Sequence, residues 1–301
     1  MSQLILKAPA KLNLYLKVIN KRPDGYHNIV TLFERIDLFD RIRLNSNSSG
    51  KITVTCNHPQ VPTGPKNLVH KVAKMIKEKY QIAEGIHIDI DKSIPVAAGL
   101  AGGSTNAATV LLGLNKLWKL NLSQAKMVDI ASQIGSDVPF FLYDSSWALG
   151  TDRGTHIKPL KIKRELWHIL VVPKIKMQTP KVYSRIRIPT KTGFPKGGKV
   201  NNTNMLTKKD DDVNILVHKL RKSNIISISS LLYNDLEKVV VQICPKIMKL
   251  KETLKSLNAK GVTVSGSGPS VYGLTDSRQE ALQIHSQLSK RYSQVFVVRT
   301  L

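Results

Sequence analysis

The chain has 301 residues, 42% of them hydrophobic and 22% charged, a globular composition long enough for two domains or one large one. Lys and Arg outnumber Asp and Glu by 46 to 21, a formal net charge of +25. Disorder is excluded, as is a collagen-like chain with only 18 Gly and 14 Pro; no apolar run nears the ~20 residues a bilayer demands.

In chain order, Leu4–Val18 alternates around Pro9 and reads as a strand, and Ile29–Leu44 is apolar at short period. A polar turn at 45–50 leads to a short strand, Lys51–Cys56. Leu68–Tyr80 carries Leu68, Val72, Met75 and Ile76 at helical spacing. Ile86, Ile88 and Ile90 alternate with His87, Asp89 and Asp91, the mark of a half-buried strand. A small, glycine-rich segment, 93–106, then runs into a helix predicted over Ala107–Trp118. Ser123 caps a second helix through Ile134. Val138–Tyr143 and Trp147–Leu149 read as strands.

The second half begins near Thr155–Lys158. Leu166–Val172 is an apolar strand, and Lys191–Asn204 is a Gly/Lys-rich loop. Helices are expected at Val213–Lys222, Ile243–Asn258 and Gln279–Lys290. Strands are expected at Val262–Ser265, Ser270–Leu274 and Val295–Thr300. Strands and helices mix without strict alternation and without a repeat, so the expected class is α+β.

The opening, MSQLILKAPAKLNLYLKV, is broken by Lys7, Lys11 and Lys17, so no secretory leader is expected. Cys56 and Cys244 are too few and too distant for a disulfide framework or a zinc site, which suits a reducing cytoplasm. The eight His form no metal-binding motif. The positive field gathers anions, whether nucleic acid, lipid headgroups or nucleotide substrates. Twelve basic residues and one acidic, Glu165, lie between Lys158 and Lys199; a solvated face is the plainer reading of them.

The glycine-rich turn carries the strongest chemical signal. A helix N-terminus offers unpaired N–H groups and about half a positive charge. Gly99, Gly102 and Gly103 let an anion approach the backbone, and Ser104 can donate a hydroxyl. A tight turn without ligand, with Ser104, Thr105 and Asn106 as ordinary caps, fits the same residues. The spacing is neither Walker A nor G-x-G-x-x-G. A Walker-like match at Gly193–Val200 has Val200 in place of the hydroxyl and is read as a decoy. Phosphoryl transfer also calls for a carboxylate near the attacking hydroxyl. Asp137 stands in a turn beside an apolar run, where partial desolvation suits a base; an Asx-turn or cap is the plainer reading. Lys11 in a strand is an outward edge residue or an inward charge, and alone the outward reading is favoured.

Three separated segments resemble the GHMP kinase superfamily: Pro9-Ala10-Lys11-Leu12-Asn13-Leu14, Pro95–Ala108 and Ser265-Gly266-Ser267-Gly268-Pro269-Ser270. Arg22-Pro23-Asp24-Gly25-Tyr26-His27, Thr31-Leu32-Phe33, Asp37-Leu38-Phe39-Asp40, Ile134–Phe141 and Gln178–Tyr183 resemble its 4-diphosphocytidyl-2-C-methyl-D-erythritol kinase branch. The resemblance covers nearly the whole chain. It implies a two-domain α+β fold, divided into 1–157 and 158–301, with the active site in the cleft. It implies ATP-dependent phosphorylation of the acceptor's tertiary 2-hydroxyl. Asp137 would be the base, and Lys11 would sit by the hydroxyl and the γ-phosphate, holding Asp137 ionised. Asn13 would orient the acceptor, CDP-methylerythritol. Tyr26 would stack on its cytosine, His27 would bond the base edge, Tyr183 would take the other face, and Thr179 would touch polar groups. Pro95, Gly99, Leu100, Ala101, Gly102, Gly103 and Ser104 would cradle the ATP phosphates. Asn67 and Lys92 would lie near the adenine, and Gly266–Gly268 would brace the cleft. Ala98 and Ala101 stand where some relatives have glycine, and Asn106 where many have aspartate. With no protein metal ligand assigned, Mg²⁺ would be held mainly through ATP. No membrane partner is expected, and the chain would be a monomer or homodimer. Three other readings remain: a related kinase with another alcohol acceptor, a basic nucleic-acid-binding protein on the same fold, and an inactive homologue. Lys11, Asp137 and the intact loop argue against the last.

Overall fold

The computed structural model describes residues 3–188 and 211–301. The predicted loop at 191–204, the Walker-like match at 193–200 and the end of the basic stretch lie outside these residues. A long hairpin opens the fold: β1 (Gln3–Lys21) and β2 (His27–Asn47) pair antiparallel over nearly their whole length. There follow β3 (Ile52–Cys56), α1 (Leu68–Lys79), β4 (Gly85–Asp91), α2 (Gly102–Leu117), α3 (Gln124–Ile134), β5 (Trp147–Thr151) and β6 (His156–Leu160). Then come β7 (Trp167–Val171), α4 (Thr179–Tyr183), α5 (Asp211–Lys222), α6 (Ile225–Ser229), β8 (Tyr233–Asn234), α7 (Leu236–Ile243) and α8 (Lys246–Ser256). The chain ends with β9 (Lys260–Val264), β10 (Val271–Thr275), α9 (Arg278–Leu288) and β11 (Val295–Arg299).

The larger sheet runs β3-β4-β2-β1-β8, with β5 bridging β2 to β6. The smaller runs β11-β7-β10-β9, all antiparallel. The junction expected between 157 and 158 falls inside β6, which pairs with β5 in the larger sheet. Helices α1, α2 and α3 cover the larger sheet through Val72, Ile76, Val110, Leu114 and Ile130, all fully buried. Close approach is possible because α2 has glycine at position 113. A Cβ there would lie 2.3 Å from Leu44 Cδ1. A second core joins the halves, packing Leu12, Leu14 and Trp147 with Leu170, Leu216 and Tyr272.

Most predicted elements are present, and Ser123 does cap α3, accepting from Lys126 N at 3.4 Å. Four expectations need correction. The first helix after the glycine-rich segment begins at Gly102, five residues before Ala107. Left-handed Ala101 turns the chain there, so Ser104, Thr105 and Asn106 lie inside the helix, not at its cap. Val138–Tyr143 is not a strand; Pro139–Leu142 is a 3-10 turn. A short apolar run does not distinguish the two, and Pro139 has no N–H for a ladder. The helix predicted from Ile243 is broken at Cys244–Pro245, where proline ends α7 and α8 starts afresh. The first part of that pair, α7, and the single-turn α6 have too few residues to establish a period.

Candidate active site

The candidate reactive groups come from one strand pair and one turn. Lys11 turns inward, 3% exposed, against the outward reading of the sequence. Its face decides this. Lys11 and Asn13 are register partners of Arg35 and Phe33 on β2, so the four share one side of the sheet. The Lys11 ammonium sits 5.6 Å from the Phe33 ring centre. It donates to Asn13 Oδ1 and stands 3.7 Å from Asp137 Oδ2. Asn13 Nδ2 donates to Thr31 Oγ1 at 2.7 Å, and Thr31 donates onward to the Tyr15 carbonyl. Burial pushes the Lys11 pKa below 10.5, against the pull of Asp137. Asp137 follows α3 in a tight turn, with Val138 N bonded to Gly135 O. Its side chain is 32% exposed and faces Lys11.

The loop before α2 is braced from two sides. Asp40, fully buried on β2, accepts from Ser93 N and Ile94 N at 2.8 Å each and pairs with Lys92. Lys92 thus has its charge balanced by a buried acid. From the other side, Ser265 Oγ donates to Gly99 O at 3.1 Å and Ser270 N to Ala98 O at 3.3 Å. Gly99, at φ +79°, has no room for a side chain: a Cβ would lie 2.3 Å from the Ser265 carbonyl oxygen. The Gly266–Gly268 turn is therefore packed against the loop. Ala101, the N-cap of α2, makes no side-chain cap, and the first turn holds no acid. Gly102, Gly103 and Ser104, at the start of this 16-residue helix, border the cavity with the positive end of its dipole.

One cavity of about 1040 Å³ is lined by the whole loop from Pro95 to Ser104, by Lys11, Asn13 and Asp137, and by Asn67 and Lys92. Asn67 also caps α1, accepting from Val69 N at 3.0 Å. Tyr26, His27, Thr179 and Tyr183 line the same cavity. The His27 and Tyr183 rings lie 5.3 Å apart at 33°. Burial, then Lys21, lowers the His27 pKa, which favours the neutral imidazole. Burial, then Asp137, raises the Tyr183 hydroxyl, which stays protonated. Tyr26 is 52% exposed, with the Arg153 guanidinium 4.7 Å over its ring. Thr179 Oγ1 lies 2.7 Å from Ser267 Oγ, tying the start of α4 to the glycine turn. The sequence reading missed Arg153, on the β5–β6 turn and in no motif. It also missed the bracing role of Asp40, whose only signal was the Asp37–Asp40 segment.

Residues 67–145 match the GHMP kinases N terminal domain, and residues 216–294 the GHMP kinases C terminal family. A 4-diphosphocytidyl-2-C-methyl-D-erythritol kinase of Exiguobacterium sibiricum is 37% identical over 99% of this chain and 98% of its own. The chain belongs to this family of GHMP kinases. A kinase of the same name from Trichormus variabilis is 39% identical over 98% of this chain and 95% of its own. A crystal structure of 4-(cytidine 5'-diphospho)-2C-methyl-D-erythritol kinase, 28% identical, superposes with a TM-score of 0.78 over 99% of this chain and all of that one. Homoserine kinase from Cytophaga hutchinsonii, 18% identical, gives 0.74 over all of this chain and 95% of that one, a likeness of fold alone. The GHMP kinase fold thus accounts for the mixed α/β architecture. Among the described residues of this family member, no helix is long and apolar enough to cross a membrane.

Proposed function

We propose that this chain transfers the γ-phosphoryl group of ATP to the 2-hydroxyl of 4-diphosphocytidyl-2-C-methyl-D-erythritol, leaving ADP and the 2-phosphate, in non-mevalonate isoprenoid synthesis. One observation carries this reading. The Lys11–Asp137 pair, the open start of α2 and the His27–Tyr183 rings share a single cavity. A base, a phosphate cradle and an aromatic recess are what a kinase for a nucleotide-bearing alcohol requires.

Asp137 takes the hydroxyl proton as the acceptor oxygen bonds to the γ-phosphorus. The bond from that phosphorus to the bridging oxygen breaks, and ADP leaves. Lys11 neutralises charge on the phosphoryl oxygens, and its burial strengthens that effect. Asn13 holds Lys11 and orients the acceptor. The N–H groups at Gly102–Ser104 receive the phosphates, with Pro95–Ala101 shaping the approach. Asn67 and Lys92 border the adenine. His27 bonds the cytosine edge, Tyr26 stacks on the base, Tyr183 closes the other side and Thr179 meets the acceptor's polar groups. Mg²⁺ bound with ATP would supply further charge neutralisation on the phosphates. Ser104 and Asn106 suit it as oxygen donors: both line the cavity, and Asn106 Oδ1 is buried without a hydrogen-bond partner among the described residues. The remaining ligands would come from ATP. Two free cysteines, Cys56 and Cys244, suit a reducing cytoplasm.

The test is ADP release with Mg-ATP on CDP-methylerythritol, mevalonate, phosphomevalonate and homoserine. Turnover with the first alone is expected. Turnover confined to another would replace the acceptor, and folded, ATP-binding protein idle on all four would overturn the reading. In the same assay Tyr26→Ala removes a base-stacking ring worth roughly 1–3 kcal/mol. The KM for the acceptor should rise roughly 5- to 150-fold, with the KM for ATP within about twofold. Equal rises in both would remove Tyr26 from the acceptor site.

A further inference from the structure

Asp137 has no rigid element of its own. It follows α3 in a turn and precedes a single 3-10 turn, Pro139–Leu142. Arg35 ties that turn to the sheet by hydrogen bonds. Arg35, on β2, donates from Nη2 to the Phe140 carbonyl at 2.8 Å and to the Tyr143 carbonyl. Its guanidinium lies 5.1 Å from the Phe140 ring centre and 5.7 Å from that of Phe141. Phe140 in turn stacks on Phe33 at 4.8 Å, and Phe33 carries the Lys11 ammonium. Arg35 is also the register partner of Lys11 across the hairpin. Its own backbone is fixed on both sides, by Ser146 O on its N–H and by Leu301 N on its carbonyl. The Arg35 side chain is buried, and burial lowers its pKa to about 10, against Asp144, so it remains a cation at neutral pH.

We infer that Arg35 is a positioning residue for the phosphoryl transfer. It sets the Asp137 turn at a fixed distance from the strand that carries Lys11. This rests on Asp137 being the base. A buried arginine bonded to two carbonyls of one turn leaves that turn few alternative positions. Without it, the Asp137 carboxylate keeps its chemistry and loses its place. A displacement of about 1 Å can cost 10²-fold in rate.

The experiment is a double-mutant cycle in steady-state kinetics, with Arg35→Met and Asp137→Asn alone and combined. Arg35→Met alone should lower kcat roughly 10- to 100-fold, with the KM for ATP within about threefold. In the Asp137→Asn background the same change should lower kcat by less than about threefold, because the group it positions is already disabled. The amides of Val138 and residues 140–143 should exchange faster in Arg35→Met. If Arg35→Met does not fold, Arg35→Lys, which keeps a donor and the charge, should give an intermediate kcat and the same loss of effect in the cycle. An unchanged kcat, or an equal fall in both backgrounds, would overturn the positioning role. Asp137→Asn with near-parent activity would instead remove the base, and this role with it.

Discussion

Asp137→Asn should lower kcat by roughly 10²–10⁴-fold, the span of a general base, while ATP still binds within a few-fold of the parent. The amide keeps the shape of the side chain and cannot take a proton. The site tolerates the exchange because Asp137 is 32% exposed, so the new amide is solvated. The phosphate cradle is built from the backbone at the start of α2, not from Asp137, and its hold on phosphate should persist. Steady-state turnover with nucleotide titration separates the two effects. Activity within a few-fold of the parent would mean that another group takes the proton.

Lys11→Met should lower kcat by about 10²–10³-fold, the loss typical of one electrostatic stabiliser in a dry site. Its second effect has the opposite sign for stability. Lys11 is 3% exposed, and its pKa is lowered because burial outweighs the help of Asp137. Folding therefore charges a penalty for this cation at neutral pH. Methionine removes that penalty, and Asp137, being partly exposed, stays hydrated without its partner. The variant should melt at the same temperature or slightly higher, because loss of the Lys11 donor to buried Asn13 Oδ1 offsets part of that gain. The pH dependence follows from the lowered value. Between the folded pKa and 10.5, the unfolded chain binds more protons than the folded one. Parent stability should rise with pH across that window relative to Lys11→Met, and the gap should close. Thermal melts of both proteins from pH 7 upward measure it. A variant that melts clearly lower at pH 7 would mean that Lys11 stabilises the fold.

Much of the fold was legible because its signals are local. The 3.6-residue spacing in Leu68–Tyr80 and the alternation at Ile86, Ile88 and Ile90 correspond to α1 and β4. Ser123 marks the start of α3 by a bond only three residues long. The site was legible in part for another reason: its glycine turns and the segments around Lys11, Tyr26 and Asp137 are short motifs. The orientation of Lys11 was not legible. Alternation says which residues share a face, but only pairing with Phe33 and Arg35 says that this face is covered. The 3-10 turn at Pro139 was missed because a short apolar run suits either structure, and one of its holds is Arg35, 105 residues away from Phe140 in the chain.

The sequence by itself determined most of the elements and the glycine-rich approach to α2, since each follows from spacing within a dozen residues. The tertiary structure alone decided how those residues act on one another. It turned Lys11 toward Asp137, set Asp40 under the loop, closed Ser265 onto Gly99 and laid Arg153 over Tyr26. Each of these contacts joins groups 50 or more residues apart. Their strength depends on distance and on exclusion from water, and both exist only once the two sheets and their helices have packed.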